Sequence, residues 1–142
     1  MLDISPTRPA DAAPPTILVV DDDDMVVGTL TLLLEDEGYR VAVATDGVQG
    51  RAAYAEIGPD LVITDMIMPR ESGMALCAGI RRADPSAKII AISGSGHIRD
   101  VDFLEMAREL GADTVIAKPF DPEEVLGAVR SLLAPLSRAA AA

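Results

Sequence analysis

Five short apolar runs, each followed by a stretch of helical period, constrain what this chain can fold into more than any other feature. They occupy positions 17–20, 40–44, 60–64, 88–92 and 114–117. Several are apolar on successive residues and rich in Val and Ile, the pattern of strands covered on both faces. The intervening segments 25–37, 47–56, 73–83, 101–110 and 123–133 carry apolar residues at spacings of three and four, as in Leu30, Leu33 and Leu34, which marks helices with one buried stripe. Strands alternating with helices imply parallel pairing, because a parallel neighbour is reached only through a crossover. The expected fold is therefore α/β, a five-stranded parallel sheet with helices on both faces.

Local punctuation supports these limits. Gly38 follows the first helical segment, Pro85 the third and Gly111 the fourth, while Pro122 stands in the first turn of the fifth, each where helix ends or starts favour that residue. Before the first strand, Pro6, Pro9, Pro14 and Pro15 disfavour both helix and ladder pairing. Residues 1–15 accordingly read as a flexible leader, 16–134 as one domain and 135–142 as a short C-terminal tail. A length of 142 residues gives room for one core and none for a second catalytic or output domain. The 49% hydrophobic and 25% charged content is that of a globular chain and not of a disordered one.

A formal net charge of -11 opposes nucleic acid and anionic membranes, so neither is expected as a partner. No apolar run is long enough to span a bilayer and no secretory h-region precedes the first strand, which predicts a cytoplasmic protein. Cys77 is the one cysteine; it has no partner for an internal disulfide and reads as a small buried hydrophobe. Met66, Met68, Met74 and Met106 read as core or half-buried packing, and His97, in a Gly and Ser stretch, as a surface residue.

In open α/β sheets functional groups gather beyond the carboxyl ends of the strands. Here the first run ends in Asp21, Asp22, Asp23 and Asp24, the third in Asp65, the fourth in Ser93 and the fifth in Lys118. Carboxylates at close range repel unless a cation lies between them, and all-oxygen ligands favour a hard ion, magnesium or manganese in its place. With His97 the single histidine, zinc is disfavoured. A carboxylate can also attack phosphorus to give an aspartyl phosphate, with Lys118 and Ser93 as donors to the phosphoryl oxygens.

Four motifs occur in order: Ile17-Leu-Val-Val-Asp-Asp22, Asp65-Met-Ile-Met-Pro69 followed by Gly73, Ile90-Ala-Ile-Ser-Gly94, and Gly111-Ala-Asp113 leading into Lys118-Pro-Phe120. Together they make residues from about 16 to 133 resemble the receiver domain of response regulators in two-component signalling, a flavodoxin-like fold. The resemblance implies that Asp65 is the phosphoacceptor, that Asp21, Asp22, Asp65 and the Ile67 carbonyl bind magnesium, that Ser93 is the switch hydroxyl and that Lys118 contacts phosphate. It further implies a cis Lys118–Pro119 peptide. The implied partners are a sensor histidine kinase or histidine phosphotransfer protein and an unidentified downstream protein, the chain acting as a stand-alone regulator, monomeric or weakly dimeric. It would be a phosphoacceptor that catalyses its own phosphotransfer and dephosphorylation, not a conventional enzyme.

Two departures bear on output. Val115 stands where many receivers carry a switching Tyr or Phe, and the stretch 94–100 before the fourth helical segment is longer than typical. Ile67 and Ser95 hold the variable positions that govern access of water, and an apolar Ile67 predicts slow to moderate loss of phosphate. Two other readings stay open: a haloacid-dehalogenase-type phosphatase with Asp21 as nucleophile and Asp23 as acid/base, and a receiver-fold binding module that takes no phosphate. The first leaves Asp65-Met-Ile-Met-Pro69 unexplained; the second would be expected to have lost an acid or the lysine. Nucleotide-loop motifs are absent from the sequence.

Overall fold

The computed structural model describes residues 14–66, 72–93, 105, 108–109 and 111–133. Each apolar run forms a strand: β1 Thr16–Val20, β2 Arg40–Ala44, β3 Leu61–Asp65, β4 Ile89–Ser93 and β5 Thr114–Ala117. They pair in parallel in the order β2-β1-β3-β4-β5, so β3 and its two neighbours are central. Two of the expected strands are displaced by one residue, onto Asp65 and Ser93 instead of Asp60 and Lys88. Ladder bonds depend on the main chain and not on side-chain polarity: the Met66 N–H reaches the Ile92 carbonyl at 3.0 Å and the Lys118 N–H the Ser93 carbonyl at 2.7 Å. Asp60 instead joins the start of β1, its carboxylate accepting from the Thr16 N–H at 2.7 Å.

Four helices are described: α1 Asp24–Asp36, α2 Gly47–Ile57, α3 Gly73–Ala83 and α4 Pro122–Leu133. Their starts follow capping chemistry, with Asp23, Asp46 and Ser72 accepting from the Met25, Gln49 and Ala75 N–H groups, which satisfies donors that the helix leaves open. Gly58 ends α2 in the left-handed region, at φ 63. The sequence segment 101–110 lies largely outside the described residues, as do the leader up to residue 13 and the tail from residue 134.

Two apolar layers flank the sheet. Leu18, Val20, Val62, Met66 and Leu76, Cys77 and Ile80 of α3 form one; Ile17, Val19, Ile63, Ile92, Leu30 and Leu34 of α1 and Val125, Leu126 and Val129 of α4 form the other. Alternate residues of β1 and β3 thus enter opposite layers, and covering both faces is what the unbroken apolar strands require. Cys77 is buried and its thiol is pushed up to about 12 by burial, consistent with the packing role read from its sequence setting. Met66 is buried and Met74 packs at the edge of the first layer; Met68 and Met106 lie outside the described residues.

Arg81, at the end of α3, clamps three segments together. Its guanidinium donates to the carbonyls of Pro85, Ala87 and Gly111 at 2.7 Å each and pairs with Asp113 at 2.9 Å. Asp113 in turn accepts from the Ile89 N–H at 2.8 Å. The base of α3, the entry to β4 and the turn before β5 are therefore tied through one planar donor fork.

Candidate functional site

The carboxyl ends of β1, β3, β4 and β5 lie side by side, and the polar residues that end them form one site. Ligand oxygens of Asp21, Asp22 and Asp65 all fall within 4.8 Å of one another. Asp21 and Asp65 are buried, whereas Asp22 is exposed at the rim. The Lys118 ammonium lies 3.1 Å from Asp21 Oδ2 and 3.6 Å from Asp65 Oδ1, reaching across from β5. The Lys118–Pro119 peptide that follows is cis.

The run of four aspartates after β1 divides its labour. Asp21 Oδ1 accepts from the Asp23 N–H at 2.9 Å, a bond that holds the turn, while Asp23 caps α1 by accepting from the Met25 N–H at 2.9 Å. Asp24 is already in the first helical turn, where an anion is favoured by the helix dipole. Asp23 is thus engaged as a helix cap through one carboxylate oxygen.

Asp65 closes β3 beneath these acids. Its Oδ1 accepts from the Met66 N–H at 3.0 Å. Burial foremost, then the neighbouring Asp21 charge, raise its carboxyl to about 6, against the lowering pull of Lys118 and of the Met66 N–H. Among the described residues, three carboxylates against one ammonium leave negative charge in excess in a partly desolvated corner, which is the environment a hard divalent cation neutralises. The oxygen-only donor set fits magnesium in kind.

Ser93 ends β4 in a buried position beside Ala117, the residue before Lys118. The structure therefore brings Asp21, Asp22, Asp65, Ser93 and Lys118 to one sheet edge, as the strand-end reading expected. Ile67, Ser95, His97 and the stretch 94–100 fall outside the described residues. Val115 pairs with Ala91 and packs half-buried against the α2/α3 layer. One neighbour that the sequence reading passed over is Thr64, fully buried, whose hydroxyl donates to the Asp65 carbonyl at 3.0 Å. The sequence shows only its polarity, between the apolar run 61–63 and Asp65, and not the acceptor that gives the hydroxyl its role.

A family model described as the response regulator receiver domain matches residues 17–130. The chain belongs to that family. It is a receiver domain of a two-component response regulator, and the dehalogenase-type alternative falls with that assignment. The DNA-binding dual master transcriptional regulator RpaA of Synechocystis is 36% identical over 121 residues, covering 84% of this chain and 49% of the relative. The chain spans about half the length of the curated relatives it matches. Among solved structures, a response regulator of Chloroflexus aurantiacus superposes with a TM-score of 0.78 at 33% identity, covering 85% of this chain and 98% of the other. The response regulator TrrA of Thermotoga maritima, in complex with Mg2+-BeF, gives 0.74 at 31% identity, covering 83% and 98%. The receiver fold here thus carries a flavodoxin-like five-stranded sheet, and the acidic corner lies at the end of it where the strands carry their polar residues.

Proposed function

We propose that this receiver domain accepts a phosphoryl group on Asp65 from a sensor histidine kinase or histidine phosphotransfer protein. On this reading residues 16–134 are the working unit, with 1–15 and 135–142 as flanks. The observation that carries it is the Lys118 ammonium, 3.1 Å from Asp21 and 3.6 Å from Asp65: a cation is already aimed at the carboxylate expected to become an acyl phosphate.

Asp65 attacks phosphorus, an O–P bond forms, and the N–P bond to the donor imidazole breaks, with the imidazole leaving. Lys118 follows the negative charge from the carboxylate onto the phosphoryl oxygens, and the Ser93 hydroxyl donates to one of them. Asp21, Asp22, Asp65 and the Ile67 carbonyl would hold magnesium, or manganese, whose charge offsets that of the incoming phosphoryl group. Raised to about 6 by burial and by Asp21 against the pull of Lys118, the Asp65 carboxyl is mostly ionised at pH 7, as a nucleophile must be, and a magnesium ion held there would favour the ionised form further. The phosphorylated state is read by a protein partner in the cytoplasm, through the surface that includes β5 and α4.

Intact-mass analysis of the full chain after acetyl phosphate and Mg2+ tests this, with Asp65→Asn and Asp21→Asn alongside. One added phosphoryl group that disappears in Asp65→Asn is the expected result. An adduct retained in Asp65→Asn, or none in the native chain with either acetyl phosphate or a phosphorylated histidine donor, overturns it.

A further inference from the structure

β3 is the central strand of the sheet, and its residues Leu61, Val62 and Ile63 are apolar and buried. Thr64 is as buried as they are and lies across from Val20 of β1 and Ala91 of β4. Valine would fill the same volume there without burying a hydroxyl, and a buried hydroxyl is tolerated only when it has a partner. The partner is the Asp65 carbonyl oxygen, 3.0 Å away.

That same oxygen is also crowded by α3. A Cβ on Gly73 would land on the Asp65 carbonyl oxygen and within 2.9 Å of the Met66 Cα, so the first turn of α3 is seated directly against this peptide group. The Gly73 N–H also donates to the Met66 carbonyl at 3.0 Å. The other end of the Asp65–Met66 peptide is its N–H, which is shared at 3.0 Å between Asp65 Oδ1 and the Ile92 carbonyl. Carbonyl and N–H belong to one rigid plane, so whatever fixes the carbonyl fixes where the N–H points. The N–H, in turn, holds the carboxylate oxygen that faces Lys118.

We propose that Thr64 is a positioning residue for Asp65: its hydroxyl, with the side-chain-less Gly73, locks the Asp65–Met66 peptide plane and thereby aims the carboxylate. This deepens the phosphoacceptor reading and rests on it for its kinetic consequence, though not for its structural one. Reaction geometry is sensitive to displacements of about 1 Å, so loss of the lock slows phosphotransfer without unfolding the chain.

The test uses full-length Thr64→Val and Thr64→Ser with Asp65→Asn as control, measuring phosphoryl uptake from acetyl phosphate, thermal midpoint and the 1H–15N resonance of Met66. Thr64→Val should stay folded, shift the Met66 amide resonance and lower the uptake rate roughly tenfold, while Thr64→Ser restores both to within about twofold. A folded Thr64→Val with the native Met66 resonance overturns the proposal, as does a rate loss that Thr64→Ser fails to rescue. If the native chain takes no phosphoryl group, or Asp65→Asn still does, the phosphoacceptor reading fails instead; the Met66 resonance then decides the positioning role alone, supporting it if moved by Val and restored by Ser.

Discussion

Asp65 has competing neighbours whose balance has a measurable sign. Burial and Asp21 raise its carboxyl from 3.8 to about 6, so in cation-free solution the folded chain binds a proton there that the unfolded chain has released. A group whose folded pKa lies above its unfolded one favours folding fully below the unfolded value and loses that contribution as pH rises through the folded value. Stability in the presence of a chelator should therefore fall between about pH 4 and pH 6, by an amount on the order of 2 to 3 kcal/mol. Asp65→Asn keeps an acceptor for the Met66 N–H and removes the charge. It is expected to melt higher than the native chain at pH 7 with chelator, and the difference should vanish below about pH 4 in thermal melts across pH. Equal melting of the two chains at pH 7 would refute the assigned cost. Asp21, Asp65 and Lys118 were each legible in the sequence as strand-ending residues. Thr64 was not, because a hydroxyl inside an apolar run carries no meaning until its acceptor is known.

At the scale of elements, α2 and α3 approach the sheet through glycines. A Cβ at Gly50 would sit 3.1 Å from Leu76 Cδ2 and 3.2 Å from both Val20 methyls, so β1, α2 and α3 meet there without slack. Gly50→Val overpacks this junction and should cost about 1–3 kcal/mol, read as a lower urea midpoint at unchanged denaturant slope; an unchanged midpoint would contradict it. The helical segment 47–56 was readable from period and punctuation, and α2 runs one residue further, to Ile57. Nothing local marked Gly50 as a contact, because the partners Val20 and Leu76 come from separate elements. β3 and β4 run one residue past their apolar letters for a similar reason: Asp65 and Ser93 are polar as side chains yet pair as backbone. The Arg81 clamp went unread too. An arginine in the last turn of α3 suits the helix dipole in any case, and its bonds to Gly111 and Asp113 exist only once β4 and β5 are adjacent.

Over the whole molecule, the charge of -11 sets a broad field unfavourable to polyanions. Relatives twice as long include one named as a DNA-binding regulator, yet the 142 residues here are expected to leave duplex DNA unretarded in a mobility-shift assay at physiological salt, with or without acetyl phosphate. Salt-sensitive retardation would refute this. The alternation of strands and helices, the doubly covered sheet and the presence of acids, a hydroxyl and a lysine at strand ends were all determined by the sequence by itself, because period, apolar content and residue type are local properties. Only the tertiary structure decided that Lys118 meets Asp21 across a separation of 97 residues, that Asp23 caps a helix while Asp21 and Asp22 join Asp65, and that Gly73 presses on the Asp65 carbonyl. Those relations follow from strand order and register, which bring chain-distant atoms within bonding distance by geometry that no local stretch of sequence encodes.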